Sequence, residues 1–184
     1  MKHLFWFVED IKWNICCSYN FWLHGPYGLA KVIERIPFRF LVKYLRKYGA
    51  TIGNDCRFEK GIIIHRPFGK KPFDKLTIGN GVYLGHNVLI DLTEKVEIKD
   101  HVVVGARSQI WTHSGYYIEE NGQPKYTQIQ GPVLINRYVA IFSSVTIISG
   151  VTIGEKAKVG ACALVNKSVP ANTFVRGIPA AEKK

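Results

Sequence analysis

A repeat of six residues constrains this chain more than any other feature. From Gly49 onward an aliphatic residue opens each unit, often followed by glycine, and a small or β-branched residue stands four positions later. The clearest run opens at Ile135, Ile141, Ile147, Ile153, Val159 and Val165, with Val139, Val145, Val151, Ala157, Ala163 and Val169 in the later place. Shorter runs open at Ile52, Phe58 and Ile64, at Ile78, Leu84 and Ile90, and at Ile98, Val104 and Ile110. A period of six is neither the roughly 3.6 of an amphipathic helix nor the long spacing of helical repeat arrays. It suits short strands joined by tight turns. Three strands close one triangular coil, the aliphatic side chains point inward, and coils stack at about 4.8 Å. Grouped in threes, the units make about five coils of a solenoid. The competing fold is a β-sandwich with chance spacing, and six consecutive units in register argue against it.

The interruptions carry the next inference. They fall after Ile64, after Ile90 and, longest, after Ile110, so every excursion leaves the prism at one corner. Loops gathered at one corner of a rigid scaffold are where a site is expected. Residues 49–184 therefore read as one β-solenoid domain with an excursion loop over 114–132 and a C-terminal tail.

Residues 1–48 lack the repeat and read as helices. Pro37 opens one, with Phe38, Leu41, Val42 and Leu45 on one face and Arg39, Lys43, Arg46 and Lys47 elsewhere, and Gly49 stops it. Leu4 to Leu23 is rich in aromatics (Phe5, Trp6, Phe7, Trp13, Tyr19, Phe21, Trp22) but is interrupted by Glu9, Asp10, Lys12 and Asn14. Neither a spanning helix nor a signal peptide is expected from such a stretch. Two roles stay open for the segment: a cap on the first coil, as solenoids require, and peripheral contact with a membrane interface.

The formal net charge of +11 calls for an anionic partner. Nucleic acid, a membrane surface and a phosphate-rich cofactor all qualify. The chain has no recognition-helix motif, no ribonucleoprotein aromatic signature and no zinc finger, so nucleic acid is not expected. Cys16, Cys17, Cys56 and Cys162 form no C-x-x-C pair, which fits a reducing, cytoplasmic setting.

The repeats, the Thr112-His113 pair, and the ending Lys167-Ser168-Val169-Pro170-Ala171-Asn172-Thr173 with Gly177-Ile178-Pro179-Ala180 resemble the hexapeptide-repeat acetyltransferases. The branch in question holds the galactoside, maltose, nodulation-factor and surface-polysaccharide O-acetyltransferases, and the resemblance covers roughly residues 49–181. It implies a left-handed parallel β-helix, a homotrimer, acetyl-CoA as cosubstrate in the groove between neighbouring solenoids, and a histidine as general base. His113 stands where the family's catalytic histidine stands. Ser143 and Ala161 match positions where backbone meets the pantetheine arm, and Asn166 and Lys167 match a Thr-Lys pair near the cofactor. Two departures stand out. Ala140-Ile141-Phe142 replaces a common Trp-Ile-Gly, and Ala181 occupies a place the family usually fills with a basic residue. Arg176, Lys183 or Lys184 would then meet the cofactor phosphates. Asp91 lies near, not at, the acidic position that holds the acceptor in sugar acetyltransferases.

Acyl transfer from a thioester to a hydroxyl needs a base for the hydroxyl proton and donors for the developing oxyanion. Six histidines compete for the base: His3, His24, His65, His86, His101 and His113. His113 is preferred because it stands at the excursion corner beside Trp111, Tyr116 and Tyr117. Counting units places it one coil above Thr93, with Asp91 two residues earlier. A carboxylate there could orient the imidazole or grip an acceptor hydroxyl, and both uses stay open. Trp111 offers a face for a sugar ring or simple packing, and Tyr116 and Asn87 are further acceptor-side candidates, a tight-turn role being equal for Asn87. The basic excursion from Arg66 to Lys75, with Lys70 and Lys71, is either solvated loop or a contact for a pyrophosphate-linked sugar or lipid headgroup. γ-Class carbonic anhydrases share this solenoid, but they need histidines close in sequence, and none of these are, so no metal is expected. The expected activity is O-acetylation of a sugar hydroxyl in surface-polysaccharide biosynthesis. The acceptor would be a saccharide carried on lipid at the inner face of the membrane. N-acetylation of an amino sugar nucleotide or small amine, and a non-catalytic scaffold, are the alternatives.

Overall fold

The computed structural model describes residues 2–182, with side chains from Leu4 onward. Lys183 and Lys184, named above as phosphate contacts, lie outside the described residues.

From Thr51 the chain winds into a left-handed parallel β-helix with three faces. The first face stacks Thr51–Ile52, Leu76–Ile78, Val96–Ile98, Val133–Ile135 and Thr152–Ile153. The second begins at Arg57–Phe58 and runs through Tyr83–Leu84, Val103–Val104, Ala140–Ile141 and Lys158–Val159 to Phe174–Arg176. The third stacks Ile63–His65, Leu89–Asp91, Gln109–Ile110, Thr146–Ile147 and Leu164–Val165. All these pairs are parallel and hold the six-residue register, as in Ile78 opposite Ile98 and Ile98 opposite Ile135. The opening residues of every unit are buried, and so are Val139, Val145, Val151, Ala157, Ala163 and Val169 in the later place. Each buried Val, Leu, Ile or Phe contributes about 1.5–3 kcal/mol relative to exposure, and the stack repeats that contribution coil after coil.

The last coil is finished differently. Val169 bridges to Ile153, Phe174–Arg176 continues the second face, and Ala181–Glu182 folds back antiparallel on Phe174–Arg176. The tail also meets the third face, where Leu164 donates its N–H to Gly177 and accepts from Ala180.

The other end carries two helices. α1 (Lys2–Ile33) is broken at Gly25, whose φ of 63° and ψ of −157° precede Pro26. α2 (Phe38–Lys47) follows Pro37 and buries Leu41, Tyr44 and Leu45. Phe38, expected on the apolar face, is exposed, and Tyr44 takes the inward place because its hydroxyl finds a partner on α1.

The loop expected over 114–132 is an ordered β-hairpin. His113–Glu120 pairs antiparallel with Gln123–Gln130, so the excursion begins at His113 itself. Most hairpin side chains are exposed, which is why no apolar alternation marked these strands in the sequence.

Candidate active site

All three excursions, after His65, Asp91 and Ile110, occupy the corner where the third face turns into the first. There His113 Nδ1 meets Asp91 Oδ2 at 2.6 Å and Thr93 Oγ1 at 3.0 Å. Asp91 is fully buried, and its two oxygens are crowded with donors. Oδ2 accepts from the Thr112 N–H at 2.9 Å and the Thr112 hydroxyl at 2.6 Å. Oδ1 accepts from the Thr93 hydroxyl at 3.0 Å and the Thr93 N–H at 3.3 Å. The Thr112 hydroxyl accepts in turn from the Glu94 N–H at 3.0 Å, which fixes its rotamer.

Burial pushes the Asp91 carboxyl toward higher pKa, but the bonds from His113, Thr112 and Thr93 outweigh it and hold the group below its ordinary value. Asp91 is therefore an anion at neutral pH. An anion receiving Nδ1–H leaves the lone pair of the neutral imidazole on Nε2. The geometry bears on the two uses left open for Asp91. Its carboxylate is turned inward onto His113, and both oxygens are taken up by donors of the chain.

Beside the dyad lies a cavity of about 470 Å³ lined by Trp111, His113, Ser114, Ile129, Ile148 and Ser149. Ser114 and Ile129 face each other across the base of the hairpin, so the hairpin forms one wall. Trp111 Nε1 donates to Gln109 Oε1 at 2.8 Å, which holds the indole in place.

His65 belongs to this site although the spacing of histidines did not bring it forward. It pairs in register with Asp91, and its ring stacks on that of His113 at 5.6 Å and 12°. Trp111 stands edge-on to it at 5.4 Å. Burial pushes the His65 pKa down, with Asp91 pulling it up and His113 and Arg66 pushing it further down. The signal was present in the repeat: His65, Asp91, Trp111, Ile148 and Asn166 each follow the last opening residue of a coil. They therefore share one column of the prism.

The ligand atoms of His65, Asp91 and His113 lie within 4.8 Å of one another, close enough to surround a metal ion. The hydrogen bonds argue against that use. Both Asp91 oxygens and His113 Nδ1 are already committed to one another and to two threonines.

The remaining residues named from the sequence fall in three places. Asn166 and Lys167 are exposed at the excursion corner, three coils beyond Asp91. Ser143 and Ala161 are exposed at the opposite edge of the third face, where Cys162 donates its N–H to the Ser143 carbonyl at 3.0 Å. Asn87 is also at that far corner, in a left-handed turn with φ of 56°, away from His113 of the same chain. Tyr116 is on the hairpin opposite Thr127 and outside the cavity lining. Arg176 is exposed and directly opposite Ala181 in the final antiparallel pair. Partners in such a pair project to the same side, so Arg176 brings a cation to the very position at which Ala181 lacks one.

No protein-family model matches the chain. Among known proteins it is similar to WcaF of Escherichia coli strain K12, provisionally named a colanic acid biosynthesis acetyltransferase. The two are 30% identical over 146 residues, covering 79% of this chain and 75% of WcaF. Among solved structures, a hexapeptide-repeat acetyltransferase from Vibrio cholerae superposes with a TM-score of 0.71 at 22% identity, over 88% of this chain and 90% of that one. A galactoside acetyltransferase in complex with coenzyme A gives a TM-score of 0.71 at 22% identity, over 84% and 78%. The repeat, the three-faced prism and these likenesses agree, and the chain belongs to the hexapeptide-repeat acetyltransferases, enzymes that use acetyl-CoA.

Proposed function

We propose that this enzyme transfers the acetyl group of acetyl-CoA to a sugar hydroxyl, with His113 as general base and Asp91 as the group that orients it. The observation that carries the reading is the buried, ionised Asp91 holding His113 Nδ1 at the edge of a 470 Å³ cavity. In the reaction Nε2 takes the hydroxyl proton as the oxygen attacks the thioester carbonyl. The C–S bond then breaks and the thiolate of CoA recovers the proton. Asp91 stabilises the imidazolium formed in between. Aligning the two substrates in one groove contributes by proximity.

The cavity lining supports a neutral, ring-shaped acceptor. Trp111 supplies an aromatic face, Ser114 and Ser149 supply hydroxyls, and among the described residues no carboxylate lines the cavity to hold an ammonium group. N-acetylation of an amino sugar remains the second reading within the fold, and a non-catalytic scaffold the third. The similarity to WcaF supports an acceptor in surface-polysaccharide biosynthesis.

Ser143 and Ala161 on one edge of the third face, with Asn166 and Lys167 on the other, would flank the pantetheine arm, and Lys167 and Arg176 would meet the phosphates. One chain offers only one wall of such a groove. A homotrimer, in which the projecting hairpin reaches a neighbouring solenoid, would complete it. Among the described residues no helix is long and apolar enough to cross a membrane. We place the enzyme in the cytoplasm, at the inner face of the membrane, acting on a lipid-linked saccharide and contacting the surface through residues 1–48.

The test is acetyl-CoA-dependent thiol release with neutral and amino-sugar acceptors, for the natural chain and for His113→Ala. Acceptor-dependent release that falls about 10²–10⁴-fold in the variant, with the fold intact by circular dichroism, is expected. Equal turnover in both would place the base elsewhere. Turnover with amino sugars alone would favour N-acetylation, and no thermal shift with acetyl-CoA would leave the scaffold reading.

A further inference from the structure

The N-terminal limb of α1 carries an apolar stripe on the side it turns away from the protein. Leu4, Phe7, Ile11, Ile15, Tyr19 and Trp22 recur at spacings of three and four, so they form one stripe, and all six are exposed, Trp22 at 80%. A neighbouring stripe, Asp10, Asn14 and Ser18, about 100° round the helix from the first, faces α2, while Trp13, Cys16, Cys17 and Phe21 pack against the core. Asp10 pairs with Lys43 and accepts from the Tyr44 hydroxyl at 3.0 Å, while Lys47 donates to Asn14 at 2.5 Å and reaches Ser18 at 3.5 Å. A helix serving only as a cap would put its apolar stripe on the core. Here an apolar stripe beyond the residues packed on the core is left unpartnered, and the contact with α2 beside it is made by hydrogen bonds and an ion pair.

The charges around the stripe suggest what covers it. Residues 1–48 hold eight Lys or Arg against three Asp or Glu. Arg39 lies over the Trp6 ring at 3.3 Å. Between the two limbs of α1 lies a second cavity, of about 430 Å³, lined by Lys12, Trp13, Asn20, Lys31 and Arg35 among others. The Trp13 indole N–H is buried there without a hydrogen-bond partner. A second copy of the chain would bring like charges together at this surface. An anionic bilayer leaflet would satisfy both features, taking the aromatic stripe at the level of the acyl chains and the cations at the headgroups.

We infer that the outer face of α1 is a docking surface for an anionic membrane leaflet, with the Lys12/Lys31/Arg35 cavity receiving lipid phosphate. The helix lies in the interface and does not cross it. This rests on the proposed function only in its purpose, which is to bring a lipid-carried acceptor to the enzyme. The route inward is short: Tyr27 beyond the break in α1 meets Phe68 edge-on at 6.4 Å, Arg66 lies over Phe68, and Arg66 adjoins His65 of the site.

The experiment is flotation of the full-length chain with phosphatidylcholine vesicles, with and without phosphatidylglycerol. It compares the natural sequence, Ile15→Asp/Trp22→Asp and Lys12→Glu/Arg35→Glu. The natural chain is expected to float with anionic vesicles and to be released by salt. The first variant should lose about tenfold or more of the bound fraction on either vesicle, and the second should lose its preference for anionic lipid. Equal flotation of all three proteins would overturn the inference. So would a fall in particle mass, by light scattering, caused by Ile15→Asp/Trp22→Asp, because the stripe would then bind a second copy. Thiol release with a soluble saccharide, measured on the same samples, separates the two claims. Release retained in a variant that no longer floats supports docking apart from chemistry. Absence of release in every protein, with flotation as expected, would remove the proposed acceptor and leave the docking surface.

Discussion

Two corners of the prism are alike and the third is not. At the turn from first to second face a left-handed residue recurs in every coil: Asp55, Gly81, His101, Tyr138, Lys156 and Asn172. At the turn from second to third face Gly61, Asn87, Arg107, Ser144, Cys162 and Gly177 do the same. Most of these are not glycine, and a left-handed backbone costs a non-glycine residue about 1–2 kcal/mol. The strain persists because the stack above and below dictates the turn. At the third corner no left-handed residue recurs from coil to coil; positive φ appears only in some of its turns, as at Arg66 and Gly150. Its turns differ in length from coil to coil, and there His65, Asp91, Thr93, Thr112 and His113 converge. Repetition supplies rigidity at two corners and leaves chemistry to the one that departs from it.

Substitutions at the two kinds of corner should separate accordingly. The largest effect is expected for Asp91→Asn. The amide cannot accept all the donors that crowd the carboxylate, and a buried hydrogen bond to a charged group contributes about 1.5–3 kcal/mol. Turnover should fall by about tenfold or more through kcat, with stability falling as well. Acid denaturation tests the same group. Its folded pKa is depressed, so the stabilisation is present above the unfolded value and is lost as pH falls through the folded one. In Asp91→Asn that portion of the acid limb should be absent from a urea-denaturation series, and an unchanged limb would contradict the assignment.

His65→Phe should act more mildly. The ring remains to stack on His113, so the fold should hold, while the pH dependence changes. Because burial depresses the pKa of His65, its stabilising contribution is present above the unfolded value and diminishes as pH falls through the folded one. The phenylalanine variant should resist mild acid slightly better than the natural chain, and its pH profile for turnover should shift. Profiles that superpose would limit His65 to packing.

The smallest effect belongs to the tight corners. Arg107→Gly relieves a φ of 60° at an exposed residue but adds freedom to the unfolded chain. A net stabilisation of under about 1 kcal/mol with unchanged turnover is expected. A drop in turnover comparable to that of Asp91→Asn would erase the distinction between the corners.

The same distinction explains what could be read in advance. The prism was legible because Ile52, Ile78 and Ile98 recur in a register that only stacked coils impose, and the column from His65 to Asn166 was implied by it. His113 was legible from its place at the longest interruption. The hairpin was not, because His113–Glu120 and Gln123–Gln130 expose most of their side chains and leave no burial pattern in the sequence. The saturation of Asp91 was hidden as well. It depends on rotamers of Thr93 and Thr112 fixed across coils, and no local pattern reports those.

The folded-back tail has a consequence of its own. A stack of parallel strands ends in a row of unpaired amide and carbonyl groups, an open template on which another chain could add coils without limit. Ala181–Glu182 runs against the direction of the strands it joins, Val169 bridges the first face, and Gly177 with Ala180 occupies Leu164 on the third. With α1 and α2 seated on the first coil, neither end of the prism formed by the described residues offers a neighbour a matching edge. A repeat that could have polymerised into a fibre is thereby held to a counted number of turns.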